Sequence, residues 1–91
     1  MAEIISGIYG IINPNGEIYI GRSSNIYKRW ACHKTMPDRW PVKLYESFKK
    51  FGIENHVFEI VHACPVDELV DKEFYYIAML NTTKSGLNKN F

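Results

Sequence analysis

Gly7-Ile8-Tyr9-Gly10-Ile11-Ile12-Asn13 and Glu17-Ile18-Tyr19-Ile20-Gly21-Arg22 are two β-rich runs separated by Pro14-Asn15-Gly16. Pro presets φ at the first turn position, Asn follows without strain, and Gly takes the left-handed position of a three-residue loop with a bulge. That loop length sets a hairpin register in which Asn13 faces Glu17, Ile11 faces Tyr19 and Tyr9 faces Gly21. Side chains alternate across a strand, so one face carries Ile8, Ile12, Ile18 and Ile20. The other carries Tyr9, Ile11 and Tyr19, with Gly21 leaving space beside Tyr9. A two-residue Asn15-Gly16 loop would shift the pairing by one and split the tyrosines between the faces. The three-residue loop is preferred because it yields one aliphatic face and one tyrosine face.

Working outward, the 91 residues make a single domain, 1–91. A chain of this size buries only about two-thirds of its unfolded surface. The apolar share of 46% and thirteen aromatics supply a core without metal or disulfide support. Cys32 and Cys64 occur singly, with no Cys-x-x-Cys and no paired histidines, which argues against structural zinc and fits a reducing cytoplasm. No apolar run approaches the roughly 20 residues of a membrane span, and no signal segment opens the chain. Net charge is +1. Its distribution is uneven: residues 1–55 hold eight Lys or Arg against five acids, and residues 56–91 hold three against five. A basic first half suits phosphates, and an acidic second half suits a metal or solvent.

After the hairpin, Ser23-Ser24-Asn25 is a helix start, and a helix is expected over 26–34. Ile26, Arg29, Trp30 and His33 then share a face turned back toward the hairpin. An arginine beside a core stripe ordinarily snorkels and a lone histidine is ordinarily structural; side by side against a tyrosine face, they become site candidates. Residues 35–40 read as a loop turning at Met36-Pro37-Asp38. Pro41 opens a second helix ending at Gly52, with Val42, Leu44, Tyr45, Phe48 and Phe51 as its packing stripe. His56 to Cys64 is a nearly continuous apolar strand that suits the middle of a sheet and pairs beside the hairpin. Pro65 ends it, and Asp67 and Glu68 open a third helix over 67–80. Val70, Glu73, Ile77 and Leu80 fall on one stripe, which buries Glu73 among apolar neighbours. A buried carboxylate costs several kcal/mol unless it is paired or binds a cation. Glu73 is therefore either an ion-pair or hydrogen-bond partner of Arg29 or a tyrosine, or a metal ligand. A polar turn over 81–86 closes the helix, leaving Leu87 tucked against the sheet.

Gly7-Ile8-Tyr9, Tyr19-Ile20-Gly21, Lys28-Arg29-Trp30 followed by His33, Glu73-Phe74-Tyr75-Tyr76-Ile77 and Gly86-Leu87-Asn88 together resemble the GIY-YIG nuclease family, in its homing-endonuclease type of catalytic domain. The resemblance implies an α+β fold, a three-stranded antiparallel sheet flanked by three or more helices in the order β-β-α-α-β-α. It implies divalent-metal-dependent hydrolysis of DNA phosphodiesters, with Tyr9, Tyr19, Arg29, His33, Glu73 and Asn88 as the active site. Glu73 would hold one Mg²⁺ or Mn²⁺ ion, Arg29 would neutralise developing charge, and Asn88 would orient Glu73 or a tyrosine. Tyr9 would place the water and His33, poised near pH 6.5, would be the final proton acceptor, though either is open as the base itself. Arg22, Lys28 and Lys34 would contact DNA phosphates. DNA binding by this chain alone is expected to be weak and without sequence preference, with specificity left to a separate DNA-recognition domain or partner. No membrane is implied, and the cytoplasm of a bacterial or phage-infected cell is the expected setting. The alternative readings are a non-catalytic DNA-binding module, or a protein-interaction module using Trp30 or Trp40, on the same fold.

Overall fold

The computed structural model of the chain describes residues 4–35, 42–80 and 86–88. Strands β1 (Gly7–Ile12) and β2 (Ile18–Ser23) form the hairpin, with Tyr9 opposite Gly21 and Ile11 opposite Tyr19, the register set by the three-residue loop. Asn13 holds that loop. Its N–H donates to the Glu17 carbonyl at 3.0 Å, and its side-chain oxygen accepts from the N–H groups of Asn15 and Glu17 at 3.0 and 2.9 Å. Gly16 takes φ +82°, the left-handed geometry that closes the turn at no steric cost to glycine.

Helix α1 spans Ile26–Thr35, α2 Val42–Phe51, and strand β3 Val57–Ala63 is followed by α3, Leu69–Leu80. Single 3₁₀ turns at Ile53–Asn55 and Val66–Glu68 lead into β3 and α3, so the acidic residues expected to open the third helix lie in a tighter turn just before it. Asn25 caps α1 as expected, its side-chain oxygen accepting from the Lys28 N–H at 3.2 Å. The Met36-Pro37-Asp38 turn, Trp40, Pro41 and the polar turn over 81–85 lie outside the described residues. Among the described residues no helix is long and apolar enough to cross a membrane.

The sheet order is β2-β1-β3, all antiparallel. The expectation that the third strand occupies the middle is corrected here. β1 is central, and it is β1 that is buried along nearly its whole length, whereas β3 is an edge strand alternating between exposed and half-buried positions. A continuous apolar run marks a strand covered on both faces; it does not say which strand is paired on both edges.

The two faces of the sheet carry two separate cores. Tyr9 and Ile11 pack with Ile26, Leu44, Tyr45, Phe48 and Leu87, so α1 and α2 cover the tyrosine face. Ile8 and Ile20 pack with Cys64, Leu69 and Ile77, so α3 covers the aliphatic face. The rotation of α3 differs from the expected one. Val70 and Leu80 are 59% and 40% exposed, and the inward stripe is Leu69, Glu73, Tyr76 and Ile77. Phe74, Tyr75 and Met79 are more than half exposed, so the helix is apolar nearly all round and its spacing alone did not select a face.

Candidate active site

Tyr9 stands at the centre of the tyrosine face because it lies on the central strand, and its ring can lie flat across β2 only because position 21 is glycine. A Cβ there would come within 2.5 Å of both Cζ and Oη of Tyr9. Tyr19 and Trp30 flank the ring at centroid distances of 6.2 Å each. The hydroxyl of Tyr9 meets Nε2 of His33 at 2.9 Å, and Arg29 and Tyr19 lie near enough to favour its ionised form. Arg29 and His33 project from consecutive turns of α1, which is what brings a cation and an imidazole to the same phenol.

His33 is fully buried and Tyr9 is 1% exposed. Burial pushes Tyr9 up to about 12, with Arg29 partly opposing, and pushes Tyr19 further up for the same reason. Burial, reinforced by the Arg29 charge, pushes His33 down to about 4. This corrects the expectation of an imidazole poised near pH 6.5: at neutral pH His33 carries no charge and holds one proton on one ring nitrogen. In the resting protein the phenol keeps its proton, and His33 serves as a hydrogen-bond partner.

The second nitrogen of His33 is taken by a residue that the sequence reading used only for packing. Tyr45 of α2 places its hydroxyl 2.9 Å from Nδ1. A buried tyrosine hydroxyl needs a polar partner, and that requirement was the available signal that Tyr45 is more than a core filler.

Glu73 is inward on α3 but 21% exposed, and its Oε1 accepts from Nη1 of Arg22 at 2.5 Å. Its ion-pair partner is thus Arg22, not Arg29. Arg22 follows Ile20 on the same face of β2, which turns it toward α3. Glu73 nevertheless bears on the tyrosines, since its charge helps to raise both Tyr9 and Tyr19. Arg22 engages only one carboxylate oxygen, so Glu73 fits as a single-carboxylate anchor for a cation. Among the described residues no group of three or more His, Cys, Asp or Glu surrounds one point.

Asn88 does not orient Glu73 or a tyrosine. Its side chain pairs with the backbone of Ile20, accepting from N–H at 2.7 Å and donating to the carbonyl at 2.8 Å, while the Leu87 N–H donates to the Ile18 carbonyl at 2.9 Å. The Gly86-Leu87-Asn88 stretch therefore seals the outer edge of β2, the strand that carries Tyr19, Gly21 and Arg22. Lys28 and Arg29 line a cleft of about 190 Å³ with Ser23, Ser24, Asn25 and Cys32. Lys34 lies instead over the Phe58 ring, 4.9 Å from its centroid.

The family model of the GIY-YIG catalytic domain matches residues 5–88 of the chain. The structure of the catalytic domain of homing endonuclease I-TevI is similar at 29% identity and a TM-score of 0.86, over 94% of this chain and 99% of that one. A mutant of the catalytic domain of intron endonuclease I-TevI is similar at 29% identity and a TM-score of 0.88, over 96% of this chain and 95% of that one. No curated protein sequence matches the chain.

Proposed function

The chain belongs to the GIY-YIG family and is an endonuclease domain, and from that premise we propose that it hydrolyses DNA phosphodiester bonds with one Mg²⁺ or Mn²⁺ ion held by Glu73. The observation that carries this reading is the Tyr9 hydroxyl on His33 Nε2 with the Tyr19 ring about 6 Å from both, and the Arg29 and Glu73 charges acting on the two phenols. A bound divalent ion would supply charge neutralisation at the phosphoryl oxygens. Tyr9 takes a proton from the attacking water while its own passes to His33 Nε2, so no free phenolate forms in the buried pocket. Arg29, with its forked donors, stabilises the charge growing on the phosphate, and the departing oxygen takes its proton from solvent. Asn88 acts by holding β2, and through it Tyr19, in register.

The substrate meets the domain at the Lys28–Arg29 cleft, and Lys34, over the Phe58 ring, is a separate phosphate contact. Arg22, 46% exposed beside Glu73, would contact a backbone phosphate, and Glu73 would hold the metal ion. With net charge +1, binding belongs at the weak end of the non-specific range of about 10⁻⁴–10⁻⁶ M at physiological salt. Sequence preference comes from a separate DNA-recognition domain or partner. The free thiols of Cys32 and Cys64 suit the reducing cytoplasm of a bacterial or phage-infected cell.

The test is supercoiled plasmid incubated with Mg²⁺ or Mn²⁺ and either the native protein or its Glu73→Ala variant. Nicking by the native protein is expected, with loss in Glu73→Ala and an unchanged far-UV circular dichroism spectrum. Full nicking by folded Glu73→Ala would overturn the metal assignment.

A further inference from the structure

We propose that Tyr45 is a positioning residue for the reaction: its hydroxyl accepts the Nδ1–H of His33 and so keeps Nε2 bare to receive the proton of Tyr9. The geometry is a buried chain, Tyr9 Oη to His33 Nε2 at 2.9 Å and His33 Nδ1 to Tyr45 Oη at 2.9 Å, with all three side chains nearly or wholly withdrawn from water. A neutral imidazole donates from one nitrogen and accepts at the other, so the two bonds must run in the same direction along the chain.

The direction follows from the proposed reaction: the proton of Tyr9 passes to His33 Nε2, so that nitrogen must be bare and must accept the Tyr9 O–H. His33 must carry its own proton on Nδ1, and Tyr45 is the group that receives it. The opposite tautomer would place an N–H against Tyr9 and leave no acceptor for its proton.

Tyr45 touches no reacting atom in this scheme. It acts through the imidazole, as a buried group that fixes a histidine's tautomer does in hydrolytic triads. Its role rests on the proposed reaction, in which Tyr9 hands a proton to His33. When the imidazole gains that proton, the Nδ1–H becomes a more acidic donor and the Tyr45 contact strengthens, which favours the charged form in a site that otherwise opposes it.

Two measurements on the full chain test this. The first is the His33 tautomer, read by ¹⁵N–¹H long-range correlation NMR near pH 7 in the native protein and in Tyr45→Phe. Protonated Nδ1 and bare Nε2 are expected in the native protein, with that preference weakened or reversed in Tyr45→Phe. The second is plasmid nicking with Mn²⁺, where Tyr45→Phe should lower kcat about 10-fold to 100-fold with KM unchanged, a part of the 10²–10⁴ that general-base catalysis is worth as a whole. A native His33 protonated on Nε2 overturns the proposal without any variant having to fold. A folded Tyr45→Phe with native kcat, or with the native tautomer and only a lower Tm, overturns it equally. Absence of nicking by the native protein under every metal would count against the proposed function, while the tautomer would still decide the place of Tyr45.

Discussion

Two buried histidines lie on the tyrosine side of the sheet, and both are held by α2. His33 is bound by Tyr9 and by Tyr45 of α2. His56 is bound by Ser47 of α2 at 2.8 Å through Nε2, and by the Gly52 carbonyl at 2.9 Å through Nδ1. The difference lies in what the partners can do. A carbonyl only accepts, so in the neutral ring the His56 proton sits on Nδ1 and Ser47 donates to Nε2. Ser47 in turn accepts from Asn13 Nδ2 at 3.0 Å, which ties the hairpin turn to α2 and to the start of β3. His33 has a hydroxyl on each nitrogen, and one of them is the phenol whose proton the reaction moves. One imidazole is a strut between groups that take no part in the chemistry; the other is the middle of a chain that ends on the reacting phenol. A buried histidine becomes available for proton transfer when one of its partners can hand it a proton, and burial by itself does not supply that.

The hardest test of that contrast is removal of the hydroxyl that faces the reaction. Tyr9→Phe keeps the ring over Gly21 but removes the bond to His33 and the hydroxyl on which Arg29 acts. Nicking should fall by at least about 10²–10³, at every pH tested, while the domain stays folded. Plasmid cleavage measured alongside a melting curve checks both halves. Native activity in folded Tyr9→Phe would place His33 in the same structural class as His56.

A second test uses protons instead of mutations. His33 has a folded-state pKa of about 4 against an ordinary 6.5. Between those values the unfolded chain binds a proton that the folded one refuses, so folding stability is undiminished by this group above about pH 6.5 and is lost progressively as pH falls toward 4. The full loss is about 3 kcal/mol at roughly 1.4 kcal/mol per unit. Urea unfolding at pH 7 and pH 4.5 should show the native protein losing more stability than His33→Gln, by roughly that amount. Equal losses would mean that His33 is not held neutral by its surroundings. Activity carries the same signature: where Tyr9, Tyr45, Tyr19 and Arg29 surround a neutral imidazole, the acid limb of kcat belongs near pH 4, not near pH 6.5.

The readable parts of this molecule are those set by neighbours in the chain. The hairpin register followed from the length of Pro14-Asn15-Gly16, and the two-faced sheet followed from strand alternation, with Tyr9, Ile11 and Tyr19 on one side and Ile8, Ile18 and Ile20 on the other. The meeting of Arg29 and His33 with Tyr9 followed from helical spacing behind a capped start. What failed depended on partners distant in sequence. The phase of α3 was ambiguous because Val70, Phe74, Tyr75 and Met79 are as apolar as Leu69 and Ile77, and only packing on Ile8 and Ile20 selects the inner stripe. The Arg22–Glu73 pair is hidden because nothing local reveals that α3 sets Glu73 beside Arg22. Asn88 was assigned a side-chain partner, but it found an open backbone edge, a feature that exists only once the strand order is known. Tyr45 was hidden for a related reason: a helical stripe shows which residues point inward and not which of them find a polar group there.

The smallest expected effect bears on the strut. Ser47→Ala removes the hydroxyl between His56 and Asn13. Asn13 Nδ2 keeps a partner, because it also donates to Glu17 Oε1 at 2.9 Å. His56 Nε2 has no such alternative among the described residues, and rotating the ring would surrender the Gly52 carbonyl. The cost is therefore that of one buried acceptor left unpaired, about 1–3 kcal/mol, moderated if a water enters the space of the lost oxygen. The rate should not follow. Asn13 lies four residues along β1 from Tyr9, about 13 Å at the rise of an extended strand, and the Tyr9–His33–Tyr45 chain shares no atom with the Ser47 network. Ser47→Ala should thus lower Tm by several degrees while kcat and its pH profile remain those of the native protein. A changed acid limb in Ser47→Ala would mean that the two imidazoles communicate through α2, with Ser47 transmitting to Tyr45 two residues away, and the division between strut and relay would have to be withdrawn.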